Sequence, residues 1–212
     1  MDEKYKKIVT AGTAAPLKVI KGHFATNHSH INYYLDLTTL KTRASEARSI
    51  AASLAKMYLY GTTIDTILCI EGMEVIGAYL AEELVQAHVL NTNAHKTIYV
   101  ITPEYNDNSQ IIVRGNIRPM IRGKHVLILA GTVTTGKSAN RAMEAIGYYD
   151  GILAGIAAIF TAIDKVGDVP VLSVYSKKDL PDYGDWDYHS CPLCRAGVKV
   201  DGLVNGFGFS FL

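Results

Sequence analysis

The run VLILAGTVTTGKS, Val126 to Ser138, joins a continuous apolar strand, Val126 to Ala130, to a Gly/Thr turn and the start of a helix. A junction of this kind is an anion cradle. Successive backbone N–H groups at the helix N-terminus point at a ligand, and the helix dipole favours negative charge there. The candidate phosphate-binding positions are Thr132, Val133, Thr134, Thr135, Gly136, Lys137 and Ser138. Thr132, Thr134, Thr135 and Ser138 add hydroxyl donors, Gly136 permits close backbone approach, and Lys137 brings positive charge. The plainer reading has Thr135 or Ser138 merely capping the helix. Strand, glycine and clustered hydroxyls together weigh towards phosphate.

Working outward, the alternation continues on both sides. An apolar stripe with Ile50, Leu54, Met57 and Tyr58 marks a helix from Arg43 to Tyr60, closed by Gly61. A short strand, Thr66 to Ile70, runs into the loop Glu71, Gly72, Met73, Glu74 and a helix from Ile76 to Gln86. Lys96 to Thr102, Ile152 to Phe160 and Val169 to Tyr175 read as further strands, and Ser138 to Ile146 as the helix after the cradle. Pro103 to Pro119 is a polar excursion with a turn at Asn106-Asp107-Asn108 and a returning strand, Ile111 to Arg114. The first 40 residues read as irregular. Strands alternating with helices imply an α/β domain, its parallel sheet covered on both faces. Ligands in such sheets sit at the carboxyl ends of strands, where both Gly-containing loops fall.

Composition narrows the class of function. At 212 residues, 49 % of them hydrophobic and 19 % charged, the chain can bury a sizeable core and is not a disordered sequence. A net charge of +1 offers no basic field for nucleic acid, so any phosphate must be held by a local site. The N-terminal stretch lacks a signal-peptide pattern, and the longest apolar run, Ile152 to Ile163, falls short of the ~20 residues that span a bilayer. A cytoplasmic protein with no membrane partner is expected. Three cysteines, an odd number, argue against a disulfide framework.

Two known patterns compete for the cradle. Gly131 to Ser138 matches the Walker A string G-x-x-x-x-G-K-S letter for letter. The same stretch resembles the phosphoribosyl pyrophosphate motif of type I phosphoribosyltransferases: four apolar residues, two acids, then a Thr/Gly/Ser loop. Context favours the second, because the motif begins past the middle of the chain, whereas P-loop domains usually open with theirs. A Walker B acid would have to be Asp164. Ile64 to Leu84 is similar to that family's pyrophosphate-loop segment, with Glu71, Gly72, Met73 and Glu74 in the loop. Pro103 to Pro119, including Arg114 and Arg118, sits where the family has its flexible catalytic hairpin; Arg122 lies beside it. At both ends the chain resembles orotate phosphoribosyltransferases. HFATNHSHINYYLDL, His23 to Leu37, is similar to their N-terminal segment and puts Phe24, Tyr33 and Tyr34 on the base side. The tail YHSCPLCRAGVKVDGLV resembles a Cys-Pro-Leu-Cys stretch of some members.

The resemblance implies one parallel-sheet domain over 1–212: residues 1–40 as an N-terminal hood, 41–178 as core and 179–212 as a C-terminal extension. It also implies Mg²⁺ with phosphoribosyl pyrophosphate, a homodimer, and a small phosphorylated sugar or nucleotide as ligand. Departures are equally specific. The acids that hold the ribose hydroxyls are replaced by Ala130 and Gly131, the lysine expected at Thr26 is missing, and Thr102 and Pro103 stand where the hairpin would begin with basic residues.

His189, Cys191 and Cys194 form H-x-C-P-L-C, three soft ligands where structural zinc takes four; a reduced structural turn is the simpler account. His23, His28 and His30 read as a polar loop before a metal site. Tyr33 and Tyr34 alternate across a strand, so at most one faces a ligand. Phe207, Phe209 and Phe211 share a strand face suited to packing. Three functions follow: phosphoribosyl transfer of the orotate type, a non-catalytic binding module that kept the cradle and lost the ribose clamp, and a P-loop NTPase. No catalytic residue is assigned.

Overall fold

In the computed structural model, which describes residues 5–27, 29–86, 93, 97–108, 110–206 and 208–212, the apolar run at Val126 extends beyond its five residues. Strand β8, His125–Val133, carries Ala130 to Val133 as strand and lies at the centre of a six-stranded sheet. On one side it pairs in parallel with β4 (Thr66–Cys69), which pairs in parallel with β5 (Tyr99–Ile101). On the other it pairs with β9 (Ile152–Thr161), itself parallel to β11 (Val169–Ser176); the short β10 (Lys165–Val166) adds an antiparallel edge. The partners of β8 differ in length. The ladder with β4 ends at Leu129, while that with β9 runs on to Val133.

Alternation along β8 builds both layers. Leu127 and Leu129 pack into a core with Ile50 and Leu54 of α2 (Ala44–Ala55) and Ile76 and Leu80 of α3 (Glu74–Val85). Val126, Ile128 and Ala130 face the opposite cluster, with Ala139, Ala142 and Ile146 of α4 (Lys137–Tyr148). Each Leu or Ile withdrawn from water this way contributes about 1.5–3 kcal/mol. Helix α2 stops at Ala55, short of the expected Tyr60. The chain tightens there through Met57 N–H to Leu54 and Tyr58 N–H to Ala55, and Tyr58 turns inward to donate to the Ile156 carbonyl at 3.0 Å. A separate short helix, α1 (Thr38–Thr42), precedes it.

The described residues among the first 40 are not irregular. They form β1 (Lys6–Ile8), β2 (Leu17–Ala25) and β3 (His30–Asp36), the antiparallel start of a second, six-stranded sheet. A register shift between Lys21 and Phe24 breaks the period-2 pattern, so His23 and Phe24 are both buried and the stretch does not read as a strand. The tail completes this sheet: β12 (Asp185–Trp186) pairs with β3, β13 (Gly202–Asn205) runs parallel to β2, and β14 (Gly208–Phe211) closes on β13. Phe209 packs on Tyr34 with ring centres 4.5 Å apart, while Phe211 is half exposed; Phe207 and His28 lie outside the described residues. The hairpin forms as β6 (Glu104–Tyr105) and β7 (Ile111–Ile112), and the Cys-Pro-Leu-Cys stretch as one helical turn, α5 (Pro192–Arg195). Among the described residues no helix is long and apolar enough to cross a membrane.

Gly77 sets how closely α3 lies on the sheet. A Cβ at this position would fall on the Cys69 thiol and come within 3.0 Å of Val100 Cγ1. We expect Gly77→Ala to cost about 1–3 kcal/mol in urea unfolding, with Cys69→Ala restoring part of that loss. Purely additive effects in the double-mutant cycle would show that the contact does not govern the packing.

Candidate functional site

Every residue from Thr132 to Ser138 lines one cavity of about 450 Å³ that opens between the two sheets. That volume suits a small phosphorylated ligand. Strand β8 delivers Thr132 and Val133, the turn delivers Thr134 and Thr135, and Gly136 starts α4 in the left-handed conformation at φ 76°. Any side chain on Gly136 would also press on Val166 at 3.1 Å, so both backbone and packing demand glycine. No side chain caps α4. Its first N–H groups are therefore left to the cavity, which answers the simpler reading of Thr135 or Ser138 as caps. The Walker A string, in contrast, is divided by the fold. Gly131, Thr132 and Val133 are strand and not wrapped loop, while Asp164 sits exposed in a turn outside the lining.

The opposite wall comes from the end of β4. Glu71 and Gly72 line the cavity; Met73 is fully buried in the core, and Glu74 is exposed, accepting from the Thr102 hydroxyl at 3.0 Å. Glu71 adopts φ 61°, a left-handed turn that folds its side chain back over β8. The Gly131 and Thr132 N–H groups and the Ser138 hydroxyl are turned towards its carboxylate and favour the charged form. Burial raises its pKa above the ordinary carboxylate value, against the pull of Lys41 and those donors. Lys41, from α1, donates to the Glu71 carbonyl at 2.5 Å; burial lowers its pKa, and Glu71 and Glu74 pull the other way. A Cβ on Gly131 would stand 3.3 Å from both the Glu71 Oε2 and the Lys41 Nζ. The space beside Gly131 is thus flanked by two oppositely charged side chains from elsewhere in the chain. Ala130 is buried in the core and lines nothing.

At the far end the lining includes Tyr34, Asn27 and Asp185. Tyr34 alone of the expected aromatic residues faces the cavity. Burial, with Asp36 nearby, pushes its phenol up to about 12. Phe24 is buried in the core, and Tyr33 points to the other face of β3, with Lys21 Nζ 5.9 Å from its ring centre. Neither lines the cavity. The Asp185 carboxylate oxygens are buried and accept no hydrogen bond from the described residues. Arg114 is also absent from the lining. It grips Glu104 across the hairpin at 2.6 Å, Arg118 lies over Tyr149, and Arg122 pairs with Asp150. Tyr105 of the hairpin is half exposed and also outside the lining; burial, with the Glu71 charge, pushes its phenol up to about 12. Lys41 and Asp185 escaped the sequence reading. Neither stands in a motif, and only the fold brings them to the cradle.

Comparison with known proteins finds no matching family model. The orotate phosphoribosyltransferase of Caldanaerobacter subterraneus subsp. tengcongensis is 27 % identical over 188 residues, covering 87 % of this chain and 90 % of that protein. Among solved structures, Mycobacterium tuberculosis orotate phosphoribosyltransferase in complex with 5-phospho-alpha-D-ribosyl 1-diphosphate superposes with a TM-score of 0.50 at 17 % identity, over 69 % of this chain and 82 % of that one. Adenine phosphoribosyltransferase from Thermoanaerobacter pseudethanolicus gives 0.51 at 16 % identity, over 68 % and 88 %.

The raised pKa of Glu71 makes anion binding depend on pH with a definite sign. As pH falls through that value the carboxyl takes a proton while Lys41 stays charged, so the cavity becomes more positive. Sulfate, which does not titrate in this range, should bind about five-fold more tightly once Glu71 is protonated, from roughly 1 kcal/mol of relieved repulsion. Calorimetry on Glu71→Gln should show the tighter affinity at all pH values. A wild-type profile as flat as the variant's would show that Glu71 does not control the anion site.

Proposed function

We propose, from a chain that carries the type I phosphoribosyltransferase fold, that it transfers a phosphoribosyl group from phosphoribosyl pyrophosphate to a nitrogenous base of the orotate type. The observation that carries this reading is the uncapped start of α4 facing Glu71 and Gly72 across one cavity. The Thr132–Ser138 cradle takes the 5′-phosphate through backbone N–H groups and hydroxyls. The Glu71–Gly72 turn and Lys41 flank the diphosphate, and Tyr34, Asn27 and Asp185 receive the base. In the reaction the bond from C1′ to the diphosphate oxygen breaks, a bond from C1′ to the base nitrogen forms, and that nitrogen's proton is released. Holding both partners in one closed site supplies the positioning on which such a transfer depends.

Glu71 takes over from the missing acids. Ala130 and Gly131 have no carboxylate, but the Glu71 Oε2 lies 3.3 Å from where a Cβ on Gly131 would stand. This donor set fits a Mg²⁺ held chiefly by substrate phosphates with one protein carboxylate, the usual arrangement for this ion. Among the described residues no group of three or more acidic ligands gathers in the cavity to form an all-protein cage. The ion would neutralise charge developing on the leaving diphosphate. Asp185 suits a base that presents N–H donors, and two of them satisfy its buried oxygens. Homologous proteins named for orotate support a pyrimidine acceptor.

The Ala130–Gly131 pair also favours a second reading, a module that binds the phosphorylated sugar without turning it over. Purified protein with Mg²⁺, phosphoribosyl pyrophosphate and either orotate, uracil or adenine separates the two. Pyrophosphate release with orotate supports the enzyme, release with adenine alone overturns the acceptor, and tight binding without release supports the module. In the active protein Glu71→Gln should lower kcat/KM for phosphoribosyl pyrophosphate about 10–100-fold, the loss of a charge-assisted bond of roughly 1.5–3 kcal/mol. Asp185→Asn should raise KM for the base and leave the sugar phosphate's nearly unchanged; equal effects on both would remove Asp185 from base recognition.

A further inference from the structure

We propose that His23, His30, Cys191 and Cys194 form a structural zinc site that fastens the chain's tail to the β2–β3 hairpin. The four ligand atoms all lie within 4.8 Å of one another. His23 Nε2 is 3.0 Å from His30 Nδ1, 3.6 Å from Cys191 Sγ and 3.7 Å from Cys194 Sγ; Cys194 Sγ is 3.2 Å from His30 Nδ1. Zinc at about 2.0–2.1 Å from nitrogen and about 2.3 Å from sulfur holds tetrahedral neighbours about 3.3–3.8 Å apart. These four separations lie within about 0.3 Å of that range, and the remaining pairs, within 4.8 Å, close by up to about an ångström when an ion enters. His189 is not in the group; it lies exposed against Tyr188, with its N–H bonded to Asp187. The hairpin supplies the two ligands that the Cys-Pro-Leu-Cys turn lacks.

Hydrogen bonding alone does not account for the cluster. His23 is 1 % exposed, and its Nδ1 lies 2.9 Å from the Val198 carbonyl, which accepts only if Nδ1 carries the proton. Nε2 then has one lone pair, yet three groups converge on it. A single cation satisfies all of them at once. The carbonyl behind His23 is the outer partner that metal-bound histidines characteristically use to fix their tautomer. Two thiolates cancel the charge of Zn²⁺, which suits a site with Cys191 and His23 both buried. Sulfur-nitrogen tetrahedra select zinc over hard cations, and four protein ligands leave no open position for catalysis.

The backbone is arranged to deliver these ligands. The bulge at Gly22 and His23 turns the histidine towards the tail, and Asp201 locks it there. The Asp201 carboxylate accepts from the His23 N–H at 2.8 Å, and the Asp201 N–H donates to the His23 carbonyl at 2.7 Å. Just beyond Asp201, Val204, Asn205, Gly206 and Gly208 wall the base end of the cavity. The metal thus organises that wall from outside the reaction site.

Protein expressed with zinc in the medium and purified under reducing conditions without chelator should carry one zinc per chain by elemental analysis. His189→Ala should keep it, while Cys191→Ser and Cys194→Ser should retain less than about a tenth. Stripping the metal from the unmodified protein should lower Tm by at least about 5 °C, restored by added zinc. If the serine variants fail to fold, cobalt(II) titration of the stripped protein should give the visible bands of a tetrahedral thiolate site. Reduced protein that takes up neither metal, or a Cys191–Cys194 disulfide in its place, overturns the proposal. None of these readouts depends on catalytic activity.

Discussion

Past Leu129, strand β8 has lost its neighbour on one side, and the Glu71 carboxylate continues where the ladder stops. The Gly131 and Thr132 N–H groups that β4 no longer reaches are turned towards it, as is the Ser138 hydroxyl at the start of α4. A single side chain therefore ties the end of one strand to the start of the helix that makes the anion cradle. Lys41 makes this tolerable, because its charge opposes the burial that favours the protonated carboxyl. Removing either partner leaves the other as an uncompensated charge in a half-closed cavity. The cradle thus depends on two charged residues that lie outside it.

The two sheets divide the work. The parallel sheet and its helices place the phosphate end through elements that follow one another closely in the chain. The second sheet places the base end by drawing on residues from both ends of the sequence, with Tyr34 on β3, Asp185 on β12 and the turn after β13 meeting across the cavity mouth. Aromatic packing joins them: Phe24, Tyr34 and Phe209 share one cluster with Leu127 and Leu129 of the central strand. The floor of the base end is thus continuous with the core of the phosphate end.

Much of the parallel sheet was legible because its signals are local. Apolar runs such as Ile67 to Ile70 and Val126 to Ala130, each followed by a Gly-containing turn, announce strand ends. The cradle is read from its own residues, and all of them line the cavity. What escaped depends on distance. The bulge at Gly22 and His23 scrambles the alternation of β2, so the hood strands looked irregular. Tyr33 and Tyr34 are interchangeable in sequence until the pairing register decides which one faces inward. Lys41 and Glu71 come from separate elements, and no spacing rule links them. The Walker A string shows the converse failure, in which a perfect local match is cut by the register of β8 with β9. The histidines and cysteines each looked incomplete because half the set lies at the other end of the chain.

The parallel pairing of β13 with β2, Gly202 against Phe24, carries a consequence for how the molecule comes into being. Closing a loop of that length is entropically costly and waits on elements already packed. During synthesis, residues 23–25 leave the ribosome long before their partner strand exists. The nascent chain must therefore shelter the edge of β2 and the ring of Phe24 for the whole interval. A parallel-sheet core able to form first would hold that edge in place, and the base end of the cavity would be the last part of the molecule to acquire its shape.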